Sequence, residues 1–317
     1  MPAAAQHTMQ CLEVWGGNQA VDNGVVMPGL DAWVYSRPYK GEAAGGDIHY
    51  VSSCASGRIT RLLVADVSGH GQSVARVATG LRDLMRRYVN YVDMGRFVGG
   101  LNREFAALSD ADGGVAGGFA TAVIATYWVP TDYLTLCNAG HPRPLWYRAR
   151  RRAWSFLENS EANRAEGLAN IPLGIAEPTR YDQIGVRLEP GDLVLVYTDS
   201  LIEAKDAAGR MIGQAGLLAI ASKLDPTDPR RLITNLLDAV QSSGAEPPHD
   251  DVTVLALRPN ALKPRASLVE GIRTTARLAR AFAASLLPGG QRFPWPQRGA
   301  DNILGAFFKR WNRRPGG

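Results

Sequence analysis

Leu62-Leu63-Val64-Ala65-Asp66-Val67-Ser68-Gly69-His70-Gly71 is the stretch on which the fold of this chain turns. An apolar run of strand length stops at a carboxylate, and a Ser/Gly turn follows. Val74, Val77, Leu81, Leu84, Met85 and Tyr88 then recur at three- and four-residue spacing, the mark of an amphipathic helix. The pattern predicts a strand over 60–66, a tight turn and a helix opening near Gly71. Such a strand delivers Asp66 to its end. Gly69 and Gly71 let the backbone approach an ion or phosphate closely. The Val67 carbonyl, released from the ladder, is available as a neutral oxygen ligand, and the helix N-terminus favours an anion at the same place. The competing reading is that Asp66 caps the helix, and this motif alone does not decide between the two.

Three more contexts repeat the arrangement. Asp47 follows Gly45-Gly46 at the start of a strand. Asp199 ends the run Leu193-Val194-Leu195-Val196-Tyr197-Thr198, which is preceded by the turn Glu189-Pro190-Gly191-Asp192. Asp250 and Asp251 stand together, after His249, before the apolar strand that begins at Val252. Taken singly, Asp47 is uninformative, and Asp199 also reads as a cap for Leu201-Ile202-Glu203-Ala204. Adjacent aspartates at the edge of an apolar run repel each other unless a cation intervenes. Four carboxylate contexts without matching Cys or His ligands point to hard divalent ions, Mg²⁺ or Mn²⁺, in a binuclear site.

Around these motifs the chain reads as strands, two helices, strands, two helices and a closing strand. Strands are expected over 31–36, 47–54, 60–66, 119–128, 133–137, 145–148, 154–157, 182–188, 193–198 and 252–257, and helices over 71–88, 96–108, 214–223 and 228–242. Neighbouring strands joined by short turns make antiparallel pairing the rule, and grouped helices belong outside the sheets. The expected class is α+β, with two mainly antiparallel sheets flanked by helices. Residues 1–30 are Gly-rich and read as an irregular lead-in, 31–259 as the globular body, and 260–317 as a tail. The segment 158–178 reads as a long polar loop.

Composition bounds the rest. An apolar fraction of 45% in 317 residues is ample for a core. No run approaches the length of a membrane span, and the N-terminus has no secretory leader pattern. The cysteines Cys11, Cys54 and Cys137 form no CxxC pair, which fits a reducing, cytoplasmic setting. The net charge of +5 is unevenly placed. Residues 261–317 hold 11 Lys or Arg and two acids, a balance of +9, leaving 24 bases and 28 acids elsewhere. A mildly acidic body argues against a nucleic-acid partner.

In collinear order, Gly45-Gly46-Asp47, Ala65-Asp66-Val67-Ser68-Gly69-His70-Gly71, Asn138-Ala139-Gly140-His141-Pro142-Arg143-Pro144-Leu145, Tyr197-Thr198-Asp199-Ser200-Leu201-Ile202-Glu203-Ala204 and Asp250-Asp251-Val252-Thr253-Val254-Leu255 resemble the successive motifs of the SpoIIE-type bacterial serine phosphatases. These are a branch of the metal-dependent PPM protein phosphatases. The resemblance covers about residues 31–258 and implies an α-β-β-α sandwich with two Mn²⁺ or Mg²⁺ ions at one end. By that resemblance, Asp66 bridges both metals, Val67 offers its carbonyl, and Asp199 and Asp250 bind one ion. Asp47 belongs to the water shell of the second, and Asp251 steadies the shell or binds a third. The implied reaction is hydrolysis of phosphoserine or phosphothreonine on a protein, such as an anti-sigma-factor antagonist in a partner-switching pathway. By the same resemblance the nucleophile is a metal-held hydroxide, so no protein nucleophile is required.

His70 is the candidate general acid. Eukaryotic relatives carry the equivalent histidine two residues after the bridging aspartate, where this chain has Ser68. His141 is expected to order a turn beside the site, and His249 to partner Asp250. Arg37 is the candidate phosphate clamp. Ser200 replaces the glycine common after the motif's aspartate, which leaves a catalytically weak phosphoprotein-binding scaffold as the alternative. In the tail, Leu268, Ile272, Thr275, Ala279, Phe282 and Leu286 share a helical stripe, and aromatic residues lie among Lys309, Arg310, Arg313 and Arg314. That pattern suits a peripheral contact with an anionic inner-membrane surface or a partner helix.

Overall fold

The computed structural model describes residues 7–9, 13–54, 57–69, 72–88, 91, 93–111, 118–158, 169–177, 179–244 and 250–262. Two sheets face each other. One holds six strands in the order β11 (Gln183–Arg187), β8 (Tyr133–Ala139), β7 (Ala120–Trp128), β6 (Ile59–Val67), β5 (Asp47–Cys54) and β2 (Val14–Gly17). The other holds seven, in the order β1 (His7–Thr8), β3 (Val21–Met27), β4 (Leu30–Arg37), β13 (Val252–Pro259), β12 (Leu193–Tyr197), β9 (Leu145–Arg148) and β10 (Ala153–Phe156). The described ladders are antiparallel except for the short β1–β3 pair.

Central strands carry long apolar runs because both of their faces are buried. Along β6, Leu62 and Val64 point into the core between the sheets, whereas Leu63, Ala65 and Val67 pack under α1 (Gln72–Arg87) and α2 (Met94–Ala111). Along β13, Leu255 and Leu257 enter the inter-sheet core, whereas Val252, Val254 and Ala256 pack under α4 (Gly213–Ala221) and α5 (Pro229–Ser243). The result is four layers, α-β-β-α, enclosing three apolar cores. Helix α5 starts sharply because Asp228 accepts the main-chain N–H groups of Arg230 and Arg231, with Pro229 at its first position.

Within the span 1–30, residues 13–30 depart from the irregular lead-in that their glycines suggest, for β2 and β3 are full members of the two sheets. The glycines there mark close approach. A Cβ on Gly24 would enter the Trp33 ring, and one on Gly16 would enter the backbone of His49 and Tyr50. The expected long loop is also partly built. Its residues 169–177 are pinned by the Ala120–Leu173 bridge and by buried Asn102, which accepts from the Gly174 N–H at 2.8 Å and donates to the Ala176 carbonyl at 3.0 Å. The tail helix expected within 260–317 lies outside the described residues.

Candidate metal centre

Strand direction brings the predicted carboxylates to one end of the sandwich. Asp47 opens β5, and Asp66 lies at the end of β6 as its direct cross-strand partner. In the facing sheet β12 ends at Tyr197, so Thr198 and Asp199 emerge at that same end. Beside it, β13 begins just after Asp250 and Asp251. The cluster is therefore split, with Asp47, Asp66 and Val67 from one sheet and Asp199, Asp250 and Asp251 from the other.

Asp251 is buried and braces the junction between them. Its Oδ1 accepts the Tyr39 N–H at 2.6 Å, and its Oδ2 accepts those of Gly46 at 2.6 Å and Asp47 at 3.2 Å. Gly45 and Gly46 are required here, because a Cβ on Gly45 would fill the place of the Asp251 carboxylate and one on Gly46 would lie 2.8 Å from the Val67 carbonyl oxygen. Asp250 is exposed, and its Oδ1 accepts the Asp251 N–H at 2.8 Å. Asp199 occupies the N-cap position of the short helix α3 (Ser200–Glu203), yet its side chain makes no cap hydrogen bond. Capping alone thus does not account for this carboxylate.

The electrostatics register the crowding. Burial, followed by the nearby charges of Asp199, Asp250, Asp251 and Glu203, pushes Asp66 up to about 7. Asp47 is pushed well above the ordinary carboxylate range by burial and by Asp66 and Asp251, and hydroxyl hydrogen bonds from Thr198 and Thr253 oppose the rise. Asp199 is raised by burial, Glu203 and Asp250. Among the described residues no three acidic, His or Cys side chains close into a preformed chelate. The donor set, made of carboxylates and the Val67 carbonyl without soft ligands, nevertheless fits a hard divalent cation.

The stage II sporulation protein E (SpoIIE) family model matches residues 56–260, well over half of the chain. The chain belongs to the SpoIIE family. Phosphoserine phosphatase RsbU of Bacillus subtilis (strain 168) is 25% identical over 230 residues, which are 72% of this chain. The chain spans 63% of that relative's length. The solved RsbU and RsbW domains of a Mycobacterium tuberculosis protein superpose with a TM-score of 0.60 at 25% identity, covering 84% of this chain and 71% of that one. The PP2C phosphatase domain of the cell fate determinant SpoIIE from Bacillus subtilis, solved with a fragment of its regulatory domain, gives a TM-score of 0.57 at 14% identity. That match covers 79% of this chain and 64% of the other, a likeness of fold alone.

Within this SpoIIE-family fold, other predicted residues fall as follows. Arg37 ends β4 opposite Val252, exposed beside the acidic end. His70, His249 and the tail beyond Leu262 lie outside the described residues. His141 is buried. Its Nδ1 bonds Thr121 Oγ1 at 2.8 Å, and the Asn138 side chain clamps its main chain with bonds of 2.8 and 2.9 Å. Burial pushes its ring down to about 3, so it is neutral and orders the turn. Residues that the motif reading passed over also enter the cluster. Glu203 follows Asp199 by one helical turn, a spacing visible in the sequence, and Thr198 and Thr253 contact Asp47. Among the described residues no helix is long and apolar enough to cross a membrane.

Proposed function

We propose that this chain is a metal-dependent protein-serine/threonine phosphatase acting on a small phosphorylated protein of a partner-switching pathway, in the cytoplasm. One observation carries the proposal: Asp47, Asp66, Asp199 and Asp250, far apart in sequence, all stand at strand ends on a single end of the sandwich. Membership of the SpoIIE family and the likeness to a named phosphoserine phosphatase support it.

Asp66 would hold both of two Mn²⁺ or Mg²⁺ ions, with Asp199 and Asp250 on one of them and the Val67 carbonyl and the Asp47 water shell on the other. Asp251, already committed to three main-chain N–H groups, steadies the shell. When bound, the ions neutralise phosphate charge and supply a hydroxide nucleophile at neutral pH. The chain's own groups position the substrate. The Arg37 guanidinium grips two phosphoryl oxygens, and His70 or solvent returns a proton to the departing serine oxygen. All four expected acids, Asp47, Asp66, Asp199 and Asp250, are present, which disfavours the scaffold reading. The basic segment 260–317 is assigned a peripheral contact with an anionic membrane surface or a partner helix.

Purified protein with Mn²⁺ is expected to hydrolyse p-nitrophenyl phosphate and to stop on addition of EDTA. Asp66→Asn is expected to lose the activity. Equal rates for the two proteins, or indifference to EDTA, refute the proposal.

A further inference from the structure

We infer that Thr198 is a positioning residue, holding Asp47 in place across the gap between the two sheets; this rests on the phosphatase reading above. Asp47 opens β5 in the six-stranded sheet, and Thr198 directly follows β12 in the seven-stranded one. The Thr198 hydroxyl donates to Asp47 Oδ2 at 2.8 Å. Its direction is fixed from the other side, since the Thr253 N–H donates to Thr198 Oγ1 at 2.9 Å and occupies its acceptor side. The alternative acceptor for the proton, the Thr253 carbonyl, is at 3.4 Å, so the shorter bond to the carboxylate takes it. Thr198 in turn donates its own N–H to that carbonyl at 3.0 Å. The Thr253 hydroxyl, which also bonds Asp47, pairs with Ser36 Oγ at 2.9 Å. Thr198 and Thr253 are fully buried and Asp47 is 3% exposed, so water does not substitute for these bonds.

The placement gives this chain of hydroxyls its role. Between the sheets the core at this end is aliphatic, made of residues such as Val64, Val194, Val196 and Leu255. Apolar packing is non-directional and tolerates small sliding of one sheet over the other. The cluster draws Asp47 and Asp66 from one sheet and Asp199 and Asp250 from the other, so such sliding changes the separation of the donor groups. A short, oriented hydrogen bond from the residue beside Asp199 to the cross-strand partner of Asp66 ties the two halves together. Thr198 touches neither the reacting phosphate nor the ions in this scheme, and it acts through Asp47.

The test compares full-length wild type, Thr198→Val, which keeps the shape and loses the donor, and Thr198→Ser, which keeps the donor. Mn²⁺ binding is measured by calorimetry, kcat and KM with p-nitrophenyl phosphate, and the melting curve in EDTA as a folding control. Thr198→Val is expected to bind Mn²⁺ about 10–100-fold more weakly and to lose kcat while KM stays near wild type. Thr198→Ser is expected to return both toward wild type. If Thr198→Val does not fold, Thr198→Cys, with its weak thiol donor, carries the same comparison against Thr198→Ser. Wild-type Mn²⁺ affinity in the donor-less variant overturns the inference and leaves the phosphatase reading standing, as does a serine variant that falls as far as the valine one. Wild type that binds no Mn²⁺ at all overturns both.

Discussion

Asp66 makes the metal-free protein unusual in its response to pH. Its carboxyl titrates near 7 in the folded state against an ordinary value of 3.8. Between those values the folded protein keeps a proton that the unfolded chain releases. The stabilisation that this proton provides is fully present below pH 3.8 and is lost as pH rises through about 7. The span between the two values corresponds to an upper limit of about 4 kcal/mol. Asp47 and Asp199 shift in the same direction and add to the slope. His49 and His141, buried and lowered to about 4 and about 3, work in the opposite sense. The Asp66→Asn variant isolates one group from this mixture. Urea unfolding in EDTA is measured for both proteins from pH 5 to pH 8. Wild type is expected to lose stability relative to the variant across that range, leaving Asp66→Asn more stable at pH 8 by roughly 1–3 kcal/mol, since removing one of several like charges relieves part of the repulsion. Saturating Mn²⁺ is expected to reverse the wild-type trend, because metal binding requires the deprotonated carboxylate. Parallel pH profiles in EDTA, or a variant less stable than wild type at pH 8, refute the reasoning.

Asp199→Asn and Asp250→Asn are each expected to lower kcat for p-nitrophenyl phosphate by about two orders of magnitude or more, with Mn²⁺ affinity by calorimetry falling in step. Asp251→Ala is expected to act through folding, because it leaves the N–H groups of Tyr39, Gly46 and Asp47 without their acceptor. A loss of roughly 2–4 kcal/mol in urea unfolding is the predicted size. Removal of residues 260–317 is expected to leave p-nitrophenyl phosphate hydrolysis intact and to abolish sedimentation with phosphatidylserine vesicles.

The sandwich was legible where both strand faces are buried, since runs such as Leu62-Leu63-Val64-Ala65 and Val252-Thr253-Val254-Leu255 have few other uses. The acids were legible because each sits at the end of such a run. Strands β2 and β3 were not, because their glycines imitate a loop. Gly24 is small to admit the Trp33 ring, a contact made only once β3 and β4 have paired. Nor were the roles of Thr198 and Thr253 legible, because a hydroxyl in a strand is an ordinary residue until the facing sheet presents a buried carboxylate to it. Glu203 was readable from its four-residue spacing to Asp199, but only if a short helix was assumed after β12. Asp251 illustrates the reverse. Adjacent aspartates suggested a cation between them, whereas the fold relieves much of their repulsion by spending Asp251 on three N–H groups from the segment 39–47.

The central claim is that separated acidic residues converge to hold a pair of cations. Anomalous scattering from crystals grown with Mn²⁺ tests it most directly. The account predicts two strong peaks in contact with Asp66, one also bounded by Asp199 and Asp250 and the other on the Asp47 side near the Val67 carbonyl. A map with no peak at this end of the sandwich, at Mn²⁺ concentrations that saturate any activity, would contradict it.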